Sequence, residues 1–222
     1  MGFRKDLIIT IDGPSGAGKS TIAKMLSRKL GYTFIDTGAM YRGVAYAYHK
    51  RTKNETMEDL LRKISLRFEF SGETKVFLDG IDVSKEIREP EISLLASSLS
   101  QQNIVREYLY KVQRKIGRNG GVVLEGRDTG SVVFPNAHLK FYLDAHPEER
   151  AKRRHLELSS KGKIEALAKV KEEMIQRDKN DSERDIAPLV MPEGAIRIDT
   201  SGIDTRGVLN MLLKHISAKG VE

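Results

Sequence analysis

The sequence predicts an α/β protein built on a five-stranded parallel sheet, and three observations lead to this prediction. Short runs of β-branched and aliphatic residues end close to Gly or Asp, as buried parallel strands often do. Helical stretches separate most of these runs, and strand–helix alternation is typical of a parallel sheet. In one further stretch, polar and apolar side chains alternate with a period of two, which predicts a small antiparallel β insert.

Each element of this fold follows from a local pattern. The predicted core strands are Leu7–Ile11, Thr33–Ile35, Val122–Leu124, Leu139–Leu143 and Ile196–Ile198. The predicted helices run from Lys19 to Leu30, from Glu91 to Arg118, from Pro147 onward and from Thr205 to Ser217. Gly31 supplies a stop for the first helix, and Pro147 suits a first helical position. The insert is predicted between Leu66 and Val83, with turns at Gly72 and at Asp79-Gly80.

The composition limits the classes of function. The chain has 222 residues and no cysteine, which excludes disulfides and thiolate catalysis. Its apolar runs are too short for a transmembrane helix, and Asp12 ends the first run too early for a signal peptide, so we expect a cytoplasmic protein without a membrane partner. A net charge of +7 favours anionic partners. Nucleic acid is not favoured, because no recognised nucleic-acid-binding signature is present.

The residues from Gly13 to Ser20 read G-x4-G-K-S and directly follow the first predicted strand. In this context small residues let backbone N–H groups wrap around phosphate oxygens, and the following helix adds positive potential. Lys19 would reach the β- and γ-phosphates, and the Ser20 hydroxyl would bind Mg²⁺. The predicted ATP-binding residues of this segment are Gly13, Pro14, Ser15, Gly16, Ala17, Gly18, Lys19, Ser20 and Thr21.

Two further polar segments follow predicted strands, and ligands of open parallel sheets bind at the carboxyl ends of strands. They begin at Asp36 and at Glu125. Farther along, Arg177, Asp181 and Arg184 are spaced so that a helix would place them on one face. Spacing alone also fits a solvated row of salt bridges on this face.

Four segments together, DGPSGAGKS, DTGAMYR, EGRDTGSVVFP and RDKNDSERDIAPL, resemble the bacterial cytidylate kinases, which belong to the nucleoside monophosphate kinases. The resemblance covers nearly the whole chain. It implies the three-layer P-loop NTPase fold and transfer of the γ-phosphoryl group of ATP to CMP or dCMP. The products are ADP and CDP or dCDP, in pyrimidine nucleotide metabolism, and Mg²⁺ is the expected cofactor.

The resemblance also implies roles for individual residues. The implied CMP-binding residues are Thr37, Arg42, Ser97, Arg106, Arg127, Asp128 and Asp181. The implied catalytic residues are Lys19, Arg127, Arg177 and Arg184. Arg154 is expected to reach ATP from a lid, although Arg150 and Arg153 lie in the same stretch and remain alternatives. We expect a single monomeric domain, 1–222, with a core of about 1–38 and 105–222, an inserted acceptor-binding segment of about 39–104 and a lid of about 153–168.

The chemistry of cytosine fits two of these residues, and some alternatives stay open. A carboxylate such as Asp128 suits the exocyclic amino group, and Arg106 suits the ring acceptors. Asp128 could instead pair with Arg127 or cap the following turn. Glu125 could accept a hydrogen bond from a water on Mg²⁺ or could orient its neighbours. A kinase for another small acceptor, such as shikimate or a different nucleotide, is the main alternative function.

Overall fold

The computed structural model describes residues 4–52, 54–70, 74–160, 162 and 165–218. In chain order its strands are β1 (Ile8–Asp12), β2 (Thr33–Asp36), β3 (Leu66–Phe70), β4 (Thr74–Leu78), β5 (Ile81–Asp82), β6 (Val122–Glu125), β7 (Leu139–Asp144) and β8 (Ile196–Asp199). Its α-helices are α1 (Lys19–Leu30), α2 (Thr37–Lys50), α3 (Met57–Lys63), α4 (Pro90–Leu99), α5 (Asn103–Gly117), α6 (Pro147–Ser160), α7 (Leu167–Glu183) and α8 (Thr205–Ala218). The loop after β6 closes with a π-helical turn, Thr129–Val133.

A five-stranded parallel sheet forms the centre of the molecule, in the order β2-β6-β1-β7-β8. The predicted parallel sheet and its five strands are therefore confirmed, each within about one residue of its predicted ends. On the central strand, Ile9 pairs with Val123 of β6 on one side and with Leu139 of β7 on the other. All five carboxyl ends consequently lie along one edge of the sheet.

Helices cover both faces of this sheet, which completes the predicted three-layer arrangement. On one face α1 and α8 bury a cluster that includes Leu7, Ile9, Leu26, Phe141 and Leu212. On the other face α2 and α5 bury a second cluster that includes Ile35, Met40, Val44, Leu109 and Leu124. Among the residues the structure describes, no helix is both long enough and apolar enough to cross a membrane.

The predicted single helix from Glu91 to Arg118 is wrong: two helices, α4 and α5, replace it. Between them Gln101 and Gln102 donate backbone hydrogen bonds only three residues back, which tightens the chain into a turn. The carbonyl oxygen of Ser100 accepts a hydrogen bond from Arg106 Nη1 at 2.7 Å. The break lets α4 pack on the insert while α5 packs on the central sheet, which one straight helix could not do.

The predicted antiparallel insert is confirmed as the three-stranded sheet β3-β4-β5. Phe68 pairs with Val76 in the first hairpin, and the predicted turn residue Gly72 lies outside the described residues. The helix α2 links the insert to the central sheet. Its Met40 and Val44 belong to the core cluster, whereas Ala39 and Ala45 pack against the insert.

Candidate active site

A cleft of about 970 Å³ opens at the carboxyl edge of the central sheet. Its walls come from the phosphate loop (Gly13–Ser20), the start of α2, the helices α4 to α7 and the loops after β6 and β8. Of the residues that we predicted as functional, all those from Ser15 to the end of the chain line this one cleft. Gly13 and Pro14, the first two residues of the loop, are buried and do not line the cleft. The sheet therefore brings together segments that are far apart in the sequence.

Glycine geometry shapes the phosphate loop. Gly13 lies so close to β7 that a Cβ there would be 1.9 Å from the carbonyl oxygen of Leu143. Gly18 precedes α1 with a φ of 87°, which favours glycine. Lys19 is buried and donates from Nζ to the carbonyl oxygen of Pro14 at 2.7 Å. Burial, together with nearby Arg127, lowers the pKa of Lys19 to about 7, and the resulting cost of its charge would be relieved by a phosphate group.

Beside the phosphate loop, two hydroxyl groups donate hydrogen bonds to oxygen atoms of Glu125. Ser20 Oγ donates to Glu125 Oε1 at 2.8 Å, and Thr37 Oγ1 donates to the Glu125 carbonyl oxygen at 2.8 Å. Burial, with the charge of Asp36, raises the pKa of the Glu125 carboxyl group. Gly126 follows, where a Cβ would be 2.7 Å from Thr37 Oγ1, so the close contact between the two loops requires glycine.

Arginine side chains converge on the centre of the cleft. Arg177 has no hydrogen bond or ion pair in the part of the chain that the structure describes. Desolvation in the cleft, together with repulsion from Arg127, Arg42 and Arg154, lowers its pKa to about 10. Such a concentration of positive charge is unfavourable unless an anion occupies the space between the guanidinium groups.

Two of these arginines are held by carboxylates that leave part of the guanidinium group facing the cleft. Arg127 Nε donates to Asp181 Oδ2 at 2.9 Å, and Asp181 raises the pKa of Arg127 against the opposing effect of burial. Arg42 Nη2 donates to Asp36 Oδ2 at 3.2 Å. Asp36 also accepts the backbone N–H of Ala39 at 2.8 Å and so caps α2. The DTGAMYR segment thus forms a helix N-terminus that opens toward the cleft.

A buried polar cluster forms part of the wall of the cleft. Arg106 forms an ion pair with Asp128, and only 1% and 8% of their side chains are exposed. Tyr110 Oη donates to Asp128 at 2.5 Å and accepts from Arg106 Nε at 2.8 Å. The alternative in which Asp128 pairs with Arg127 or caps the next turn with its side chain is wrong, because its partners are Arg106 and Tyr110.

Arg184 connects this cluster to the arginines at the centre. Its Nε donates to the carbonyl oxygen of Ala187 at 2.7 Å, and its Nη2 is buried without a hydrogen-bond partner among the described residues. The same nitrogen lies 3.9 Å from Asp128 Oδ1, and Nη1 lies 3.6 Å from Asp181 Oδ1. Burial and the nearby Arg106 lower the pKa of Arg184. Nη2 thus keeps an unused capacity to donate a hydrogen bond.

The structure also separates neighbouring candidates. Ser97 lines the cleft, whereas Ser98 is exposed on the far side of α4. Arg154 lines the cleft and pairs with Glu157 at 2.7 Å. Arg153 also lines the cleft and so stays an alternative, and it donates to the Thr200 carbonyl oxygen at 2.6 Å. Arg150 is buried, does not line the cleft and donates to the backbone carbonyl oxygens of Ser15 and Ala145, whereas Arg154 faces the cleft itself.

Sequence reasoning missed four polar residues of this region. Tyr41 lines the cleft with a buried hydroxyl group that has no hydrogen-bond partner among the described residues, and Tyr110 completes the Arg106–Asp128 cluster. Asp12 and Asp178 bind backbone N–H groups beside the cleft. Tyr110 lies four residues after Arg106 on one helix, a spacing that could have indicated the contact. The other three lie within segments quoted above, but no pattern in the sequence marks their partners.

Comparisons with known proteins identify the family of the chain. The family model described as cytidylate kinase matches residues 9–218. A cytidylate kinase from Syntrophotalea carbinolica is 46% identical over 98% of this chain and 94% of its own length. One from Geobacter sp. (strain M21) is 43% identical over 96% of this chain and 94% of its own.

A solved structure supports the fold alone. The shikimate kinase from Acinetobacter baumannii, in complex with shikimate, superposes with a TM-score of 0.51 at 16% identity, covering 98% of this chain and 97% of its own. On the family match and the two relatives, the chain belongs to the cytidylate kinase family.

Proposed function

We propose that the protein transfers the γ-phosphoryl group of ATP to CMP, and also to dCMP, giving ADP and CDP or dCDP. One observation carries this proposal beyond family membership. The phosphate loop and the buried Arg106–Asp128 pair face the same cleft, with the unpartnered Arg177 among those that line it. ATP would bind at the phosphate loop. A base that has both hydrogen-bond donors and hydrogen-bond acceptors would bind at the Arg106–Asp128 pair in the same cleft.

The donor side is assigned to the phosphate loop. The backbone N–H groups that follow Ser15, together with Lys19, would bind the β- and γ-phosphates. Arg154 would approach ATP from the lid segment. Ser20 Oγ and Glu125 Oε1, 2.8 Å apart, are hard oxygen donors of the kind that Mg²⁺ prefers, so these residues fit the ion directly or through water. Bound there, Mg²⁺ would neutralise developing charge on the phosphates.

The transfer itself needs positioning and charge neutralisation rather than a covalent intermediate. Arg42 and Arg127 would hold the CMP phosphate, because Nη1 of Arg42 and Nη2 of Arg127 have no hydrogen-bond partner among the described residues. Arg177 and Arg184 would contact the phosphoryl group between donor and acceptor. The repulsion among these arginines is then relieved only when both nucleotides are present.

Base and sugar recognition is assigned to the acceptor end. Asp128 would accept from the amino group of cytosine, and Arg106 would donate to its ring acceptors. Ser97 lines the same cleft and would contribute to the base site, and Thr37 and Asp181 would contact the phosphate and the sugar. Uracil would turn a carbonyl oxygen toward Asp128, which is unfavourable in a buried site.

The domain boundaries follow as part of the same proposal. The insert, 39–104, and the lid, 153–168, would close on the core, 1–38 and 105–222, when both substrates bind, because water must be excluded before transfer. Residues 161, 163 and 164 of the lid lie outside the described part of the chain. A monomeric state and a cytoplasmic location stay predictions, the first of which sedimentation would test.

The decisive experiment measures ADP formation from ATP and Mg²⁺ with CMP, dCMP, UMP, AMP, GMP, shikimate or no acceptor. Turnover with CMP and dCMP, with UMP far behind, is the expected result. Equal turnover without an acceptor would indicate an NTPase and overturn the proposal. Lys19→Ala serves as the control and should abolish turnover, because the side chain that reaches the phosphates is lost.

A further inference from the structure

Both backbone polar groups of Ser15 in the phosphate loop are held by two distant charged side chains. The Ser15 N–H donates to Asp178 Oδ1 at 2.8 Å, and its carbonyl oxygen accepts from Arg150 Nη1 at 2.8 Å. Arg150 and Asp178 also form an ion pair with each other, with 8% and 15% of their side chains exposed. These three residues, which we term the loop brace, form a closed set of polar contacts between the loop, α6 and α7.

The loop brace is also hydrogen-bonded to the backbone of the core, through Arg150. Arg150 Nε donates to the carbonyl oxygen of Ala145, just after β7, at 3.0 Å. Next to Ser15, a Cβ at Gly16 would lie 2.8 Å from the Arg150 carbonyl oxygen and 3.1 Å from Met174 Sδ of α7. The phosphate loop is therefore packed directly against both helices, and a shift of either helix must displace it.

The same helix α7 carries the acceptor side of the cleft. Arg177 immediately precedes Asp178, and Asp181 follows one helical turn later. Asp181 holds Arg127, whereas Asp178 holds Ser15. Because a helix moves as a rigid body over one turn, a ligand that displaces Arg177 and Asp181 also displaces the atom that holds the phosphate loop.

We infer that Arg150 and Asp178 are positioning residues that couple acceptor binding on α7 to ATP binding at the phosphate loop. Neither side chain is among the residues that line the cleft, so in the described part of the chain they act through Ser15 rather than on substrate. A buried ion pair by itself is weak evidence for a stabilising role. The inference rests on the proposed ATP and CMP sites.

The test is an equilibrium binding measurement on the whole protein, with Mg²⁺ and the non-hydrolysable ATP analogue adenylyl imidodiphosphate. Its dissociation constant is determined by calorimetry with and without saturating CMP, and the ratio of the two values reports the coupling. Couplings between sites are typically about 5- to 150-fold. We expect CMP to tighten binding of the analogue within this range in the unaltered protein.

Asp178→Asn and Arg150→Met should bring this ratio close to one, and each should lower kcat by at least about tenfold. Arg150→Lys keeps the charge but not the planar guanidinium group that reaches three acceptors, so an intermediate ratio is expected. The matched control is Glu148→Gln, because Glu148 also joins α6 to α7, through Lys171 at 2.6 Å, in an exposed ion pair away from the loop. Its ratio should remain that of the unaltered protein.

Unfolding temperatures are measured for every variant. If Asp178→Asn does not fold, the binding ratio of Arg150→Lys still tests the inference. A folded Asp178→Asn or Arg150→Met that retains the full ratio overturns the inference, as does a ratio of one in the unaltered protein. Neither result touches the proposed function, which depends on CMP-dependent ADP formation by the unaltered protein. Absence of that turnover would overturn the proposed function itself.

Discussion

The Arg106 guanidinium group and the Asp128 carboxylate form an ion pair in the wall of the cleft, and protein encloses it on nearly every side. Enclosing two opposite charges costs desolvation energy that their attraction barely repays. Hydrogen bonds from Tyr110 to Asp128 and from Arg106 to the Ser100 carbonyl oxygen offset part of this cost. An ion pair with this desolvation cost is expected on a cleft wall where a ligand binds to its remaining hydrogen-bond donors and acceptors.

Asp128→Asn should reduce the preference for CMP over UMP. The amide presents a donor as well as an acceptor, so it no longer favours an amino group over a carbonyl oxygen. A hydrogen bond to a charged group contributes about 1.5–3 kcal/mol, so we expect the ratio of the two kcat/KM values to fall about ten- to a hundredfold. An unchanged ratio would show that Asp128 does not read the base.

Asp128→Ala should be the more damaging change. It leaves Arg106, 1% exposed, without its counter-ion, and breaking a buried pair in this way costs about 3–5 kcal/mol. Chemical denaturation should show this loss, together with a higher KM for CMP and a smaller gap between CMP and UMP. If Asp128→Ala unfolds at the same denaturant concentration as the unaltered protein, the pair does not contribute to stability as the structure indicates.

Much of the fold could be predicted, because the strands and the phosphate loop are local patterns. The break between α4 and α5 could not, since the hydrogen bond from Arg106 to the Ser100 carbonyl oxygen that accompanies it has no signature in the local sequence. The site was predictable where a motif marks it. Asp178 was not, because its partner Ser15 is 163 residues away, and no local spacing reveals such a contact.

Arg177→Met should separate activity from stability. Arg177 donates no hydrogen bond and forms no ion pair within the described ranges, and Arg127, Arg42 and Arg154 repel it. Its removal should therefore leave the unfolding temperature of the nucleotide-free protein unchanged or raise it. Since a single positioned donor for transition-state charge typically contributes about 10²–10³-fold, kcat should fall by that factor.

Arg127→Met is the control for Arg177→Met, because Arg127 does hold a partner. Its loss deprives the buried Asp181 of the hydrogen bond from Nε at 2.9 Å. We expect a cost of about 3 kcal/mol, which lowers the unfolding temperature of a chain of this size by roughly 6–12 °C. Equal unfolding temperatures for the two variants would contradict the assignment of Arg177 as unpartnered.

Asp12, the last residue of β1, holds the turn that follows the cleft residues Arg127 and Asp128. Its Oδ1 accepts from the Thr129 N–H at 2.9 Å and from Thr129 Oγ1 at 2.8 Å. Its Oδ2 accepts from the Gly130 N–H at 2.7 Å. Burial raises the pKa of Asp12 to about 6 despite these bonds, and the charge of Asp128 adds to the effect.

This raised pKa makes stability depend on pH in a defined direction. The folded state binds a proton at Asp12 more tightly than the unfolded chain does, so the free energy of unfolding falls as pH rises through the range between the two pKa values. Asp12→Asn removes this titration. Its amide keeps one acceptor for Thr129 but turns a donor toward Gly130, which costs about 1–3 kcal/mol at every pH.

The stability advantage of the unaltered protein over Asp12→Asn should therefore shrink by about 1 kcal/mol between about pH 5 and about pH 7.5. Urea denaturation of both proteins at the two pH values, without nucleotide, measures the advantage directly. Other carboxyl groups titrate alike in both proteins, so their contributions cancel in the difference. An advantage that stays constant, or that grows with pH, would show that Asp12 ionises in the folded protein as it does in the unfolded chain.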